Sequence, residues 1–153
     1  MKKSQQMFNY HVWATASLLE FINNCPELYA KNLESVFPSI RATFEHIYEI
    51  DRMWFVRITG KEELEHAGLK TPYDAKITLA KLHETMIDYF KKEDSSKRVT
   101  YYNSTGSSFE NKLSDLLIHL ANHGTYHRGN ITAMLHSLGH KSISTDYIYF
   151  LRK

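Results

Sequence analysis

The chain has 153 residues, 42% of them hydrophobic and 24% charged, with a formal net charge of +2. This is the balance of one globular domain over residues 1–153. It excludes a disordered protein, and it gives no bulk charge with which to hold nucleic acid. The single cysteine, Cys25, cannot form an internal disulfide, and neither a signal peptide nor a run of about twenty apolar residues is visible, so a soluble cytoplasmic protein with no membrane partner is expected.

Four long segments carry helical periodicity. The first runs from Ser4 to Asn24, with Phe8, Val12, Leu19 and Ile22 on one face and Asn23, Asn24 and Pro26 as a stop. The second opens at Ser39, a plausible N-cap, carries Ile40, Phe44, Ile47, Trp54 and Ile58, and closes at Gly60. The third spans Tyr73 to Lys92, marked by Ile77, Leu79, Leu82, Met86, Ile87 and Phe90. The fourth is expected from Ser108 to Leu138, on the stripe Leu113, Leu116, Leu120, Ile131, Met134 and Leu138, with Gly139 after it. Between the third and fourth, VTYYNSTGSS (99–108) reads as an extended segment and a turn. The tail STDYIYFLRK reads as a short strand or an apolar lid. An all-α helical bundle is the simplest assembly of these elements.

The nine histidines are the unusual feature, and three of them, His119, His123 and His127, recur at four-residue steps in HLANHGTYHRGN. With Leu120 as the core direction, a 100° advance per residue puts His127 at about −20°, His123 at about −60° and His119 at about −100°. His123 and His127 therefore face neighbouring helices, one turn apart. That spacing suits a shared divalent ion, which would offset the cost of burying two imidazoles. A third ligand should come from another helix. His66 lies in a polar loop, His83 on a mixed face and His140 in a turn. His11 and His46 both lie in aromatic-rich helices, and geometry alone does not choose between them. Gly124 and Gly129 suggest close approach by another element. Asp51 points inward at about +40° from Ile47, suiting either support of a ligand histidine or a buried ion pair, whereas Glu49 falls on the far side and reads as solvated. Of Tyr101, Tyr102, Tyr147 and Tyr149, one of each pair is expected inward. Lys91, Lys92, Lys97 and Arg98 read as a solvated basic cluster.

Together, FNYHVWA, TFEHIYEIDRMWF, NHGTYHRGN, VTYYNSTG and the closing TDYIYF resemble the DinB family, the DinB/YfiT-like metalloenzymes, over nearly the whole chain. The family position after the NHGTYHRG run is often glutamine; here it is the shorter amide of Asn130. The resemblance implies a four-helix bundle with an up-down-down-up path and a homodimer. It also implies one divalent transition metal, zinc or nickel first and iron or manganese next, held by His46, His123 and His127 with open coordination positions. His119 then becomes a neighbour.

Such a site suits a metal-dependent hydrolase, or an S-transferase acting on a low-molecular-weight thiol, with a small-molecule substrate. No general base is assigned. The alternative is a bundle in which the metal is structural and nothing is catalysed. A ferritin-like di-iron site needs a pair of Glu-x-x-His motifs, and no such pair is present in this chain.

Overall fold

The computed structural model describes residues 2–61 and 68–153. His66 and most of its polar loop lie outside the described residues. Four long helices form the body: α1 (Lys3–Asn23), α2 (Ile40–Thr59), α3 (Pro72–Lys92) and α4 (Leu113–Ser137). Helix α1 packs against α3 and α4, and so does α2. The shared core holds Phe8, Leu19, Ile22, Phe44, Ile47, Phe55, Leu79, Met86, Leu117, Leu120 and Ile131.

The helix ends follow from local chemistry. Ser39 Oγ accepts the Ala42 amide at 3.1 Å, and Gly60 closes α2 at φ 65°, a conformation that costs glycine little. Thr71 and Asp74 form a reciprocal capping box, with Pro72 at the first helical position. The 16 residues from Asn24 to Ser39 include a short 3-10 turn, Pro26–Leu28, and bring Phe37 down beside α2.

Two expectations are corrected; the fold is mostly helical, with one small two-stranded sheet among the described residues. The fourth helix starts at Leu113, not Ser108, because residues 108–112 form a strand. Strand β1 (Arg98–Tyr102) pairs antiparallel with β2 (Ser108–Lys112), Tyr101 opposite Phe109. The Asn103 side chain accepts from the amides of Thr105 and Ser107, and Gly106 sits at φ 81°, so the polar cluster is a hairpin turn. Val99 and Tyr101 face inward, Tyr101 meeting Trp54 edge-on at 4.8 Å, while Tyr102 stays exposed.

The tail is neither strand nor lid over the histidines. Residues Tyr147–Phe150 make a short helix, α5, whose Tyr147 and Phe150, three apart, pack on Tyr10 of α1 at 5.2 and 6.0 Å. Among the described residues, no helix is long and apolar enough to cross a membrane.

Candidate metal centre

Helices α2 and α4 bring three imidazoles together. His46 supplies one from α2. His123 and His127 supply two from α4, one turn apart. One nitrogen from each ring lies within 4.8 Å of the others. His46 Nε2 and His123 Nε2 are 3.1 Å apart, and the His127 ring lies 4.5 Å from His46 and 4.4 Å from His123. Tetrahedral zinc–imidazole bonds of about 2.0–2.1 Å make ligand–ligand edges of about 3.3–3.4 Å, so the His46–His123 separation comes within a few tenths of an ångström of two ligands of one ion.

The surroundings suit that role. Burial pushes all three imidazoles below their ordinary pKa of 6.5, His123 down to about 4 with help from its His127 and His46 neighbours. They are therefore neutral at neutral pH and carry free lone pairs. Phe37 lies tilted beside His46 at 4.9 Å and meets His127 edge-on at 5.5 Å, covering one side of the group. The Asn130 amide lies 3.4 Å from His127 Nδ1, so the shorter side chain still reaches the ring. Among the described residues, no carboxylate or thiol joins the group. Glu45 is engaged with Arg41 at 2.8 Å. Glu49 is half-buried rather than fully solvated, and accepts from Arg52 at 3.1 Å.

His119 stands apart. It is exposed, its ring lies 6.2 Å from His123, and it packs edge-on to Trp54 at 5.3 Å. His136 and His140 are exposed, and Tyr126 is exposed beside His127.

A second cluster was not anticipated. His11 of α1, Asp51 of α2 and His83 of α3 meet in the bundle interior, each at most 2% exposed. Asp51 Oδ2 is 2.9 Å from His11 Nε2 and 2.8 Å from His83 Nε2. From α4, the Arg128 guanidinium lies 3.0 Å from His11 Nδ1 and donates to Thr15 at 3.2 Å. Asp51 is thus a buried hydrogen-bond acceptor between two imidazoles, and His83 is core rather than mixed surface.

This cluster also has three potential ligand atoms, but its proton positions are set otherwise. Arginine only donates, so His11 Nδ1 must accept and His11 Nε2 must carry the proton given to Asp51. That nitrogen has no lone pair for a metal. Burial lowers the His11 pKa and the Arg128 cation adds to it, against the pull of Asp51. The Asp51 carboxyl, which burial alone would raise, is held well below its usual range by the two imidazoles. It is therefore a charged acceptor, and Arg128 balances it across a neutral His11.

Signals for these residues existed. His11 shares a face with Phe8 and Ile22, and His83 lies four residues after Leu79 and three before Met86, both within buried stripes. Gly124 marks the contact itself: a Cβ there would sit 2.1 Å from His11 Nδ1. Gly129 meets nothing within 4 Å and is merely tolerated.

The whole sequence, residues 1–153, matches the DinB family. Protein DinB from Bacillus subtilis (strain 168) is 35% identical over 159 aligned positions, which cover 95% of this chain and 92% of the relative. With four long helices and a convergent histidine group that could hold a metal, the chain belongs to the DinB family.

Proposed function

We propose that this protein binds one divalent transition metal through His46, His123 and His127, and uses it on a small-molecule substrate as a hydrolase or as an S-transferase of a low-molecular-weight thiol. The observation that carries the reading is the convergence of three neutral imidazoles, one nitrogen each, within 4.8 Å. Three protein ligands leave coordination positions for water or substrate, the pattern of catalytic rather than closed structural sites. When bound, zinc or nickel, or iron or manganese in their place, supplies Lewis acidity that favours hydroxide or thiolate at neutral pH.

The chain's own residues set the ligands. Asn130 holds His127 at Nδ1; with the amide turned so that Oδ1 accepts Nδ1–H, the Nε2 lone pair is left for the ion. Phe37 shields His46 and His127 from one side. The four helices follow an up-down-down-up path in this reading. A homodimer through α4 is supported by the exposed apolar side chains Ile118 and Tyr126.

The test is metal content by mass spectrometry of untagged protein beside four alanine variants. About one ion per chain is expected, lost in His46→Ala, His123→Ala and His127→Ala and kept in His119→Ala. Parent protein that takes up no zinc or nickel on reconstitution would sink the reading. Metal retained without turnover in hydrolase and thiol-transfer screens would favour a structural ion.

A further inference from the structure

The two histidine clusters share helices. On α4, His123 and His127 are each followed by a member of the other group, Gly124 and Arg128. Adjacent stripes of one helix, about 100° apart, therefore face the triad and the interior cluster. On α2, His46 and Asp51, about 140° apart, are divided between the two groups likewise.

Asp51 spends only half its carboxylate on the interior cluster. Oδ2 accepts from both His11 and His83, while Oδ1 is buried with no hydrogen-bond partner among the described residues. His123 Nδ1 is likewise buried and unpartnered among the described residues. The two atoms are complementary. A carboxylate oxygen accepts, and the Nδ1 of an imidazole that offers its Nε2 lone pair must donate. The helices that carry them, α2 and α4, pack against each other, and the Asp51 charge acts on the His123 ring. Leaving a carboxylate oxygen dry and unpaired is costly, so a core ion pair alone does not explain its orientation.

We propose, building on the metal-binding reading above, that Asp51 is a positioning residue for the triad. Its Oδ1 accepts the His123 Nδ1–H across one bridging water, and so turns the Nε2 lone pair of His123 toward the ion. His11 and His83 hold Oδ2 in place, and Arg128 fixes the His11 tautomer that makes this possible. The chain of control runs from Arg128 to His11, to Asp51 and to His123, through α4, α1 and α2, with His83 of α3 bracing Oδ2. Carboxylates behind ligand histidines set ring orientation and basicity, and their loss lowers metal affinity about 10–100-fold.

The experiment reads imidazole tautomers by long-range proton–nitrogen NMR in metal-free protein, then titrates cobalt(II) and records its visible band. In the parent, His123 is expected with its proton on Nδ1 and His11 with its proton on Nε2. Asp51→Asn should scramble the His123 tautomer, weaken cobalt binding about 10–100-fold and shift the band. Ile131→Val, a buried change on the same helix, should lower stability and leave tautomer and affinity alone. A parent His123 protonated on Nε2 overturns the assignment even if Asp51→Asn does not fold. So does a folded Asp51→Asn with unchanged tautomer and affinity, or an equal loss of affinity in Ile131→Val. A parent that takes up no cobalt overturns the metal reading, and this proposal with it. A parent that binds cobalt but carries the wrong His123 tautomer overturns only the role of Asp51.

Discussion

Gly124→Ala tests the packing of the two clusters with one methyl group. The added Cβ would lie 2.1 Å from His11 Nδ1, 2.3 Å from His11 Cε1 and 2.7 Å from an Arg128 terminal nitrogen. His11 cannot swing aside, because its ring is fully buried and tied to Asp51. Overpacking of this kind costs about 1–3 kcal/mol. Displacing the ring also strains or breaks the Arg128 hydrogen bond, worth about 1.5–3 kcal/mol because one partner is charged. Alanine returns about 1 kcal/mol of helix propensity. The net expectation is a loss of roughly 1.5–5 kcal/mol, or about 3–20 °C in Tm for a domain of this size. Urea denaturation at equilibrium measures it. Gly129→Ala is the matched control, since its Cβ would meet nothing within 4 Å. It should stabilise by up to about 1 kcal/mol. Equal effects at the two positions would refute the argument that His11 is wedged against α4.

In metal-free protein, stability should fall as pH drops from 6.5 toward about 4. The imidazoles of His11, His46, His123 and His127 all have folded pKa values below the ordinary 6.5, so in that window the unfolded chain binds protons that the folded chain refuses. The depressed Asp51 carboxyl acts separately: its contribution begins to be lost only below 3.8, as pH falls toward its folded value. A flat profile from pH 6.5 to 4 in chemical denaturation would contradict the burial of these rings. Zinc at about 100 times its Kd should raise stability by about 2.7 kcal/mol, and a chelator should reverse the rise. Thr71→Ala removes the capping oxygen of α3 and should cost about 1 kcal/mol in thermal melts, with no change in zinc uptake.

The four helices were legible because each buries a continuous stripe at helical spacing, and their ends were legible where a cap residue announced them, as at Ser39 and Gly60. The hairpin was half legible. Val99 to Tyr102 showed strand character, but SFENK carries no alternation of its own. Its state is set by pairing with β1, the Tyr101–Phe109 contact and the turn at Asn103. The tail misled because Tyr147 and Tyr149 alternate. The contact that decides its form is between Tyr147 and Phe150, one helical step apart, on Tyr10.

The histidines divide by a rule that spacing cannot express. Both clusters gather three potential ligands in similar volumes, so proximity does not separate them. What separates them is the occupant of the second ring nitrogen. His11 has an arginine donor there, which forces a proton onto Nε2 and makes the ring a link between two charges. His127 has an amide there, whose oxygen can accept a hydrogen bond from Nδ1–H and leave Nε2 to an ion. His123 Nδ1 is buried with no hydrogen-bond partner among the described residues. A four-residue period locates His123 and His127, but the partner that fixes each tautomer comes from a helix distant in sequence. The function of a histidine in this bundle is therefore set by its neighbour across the core, not by its own position on the helix.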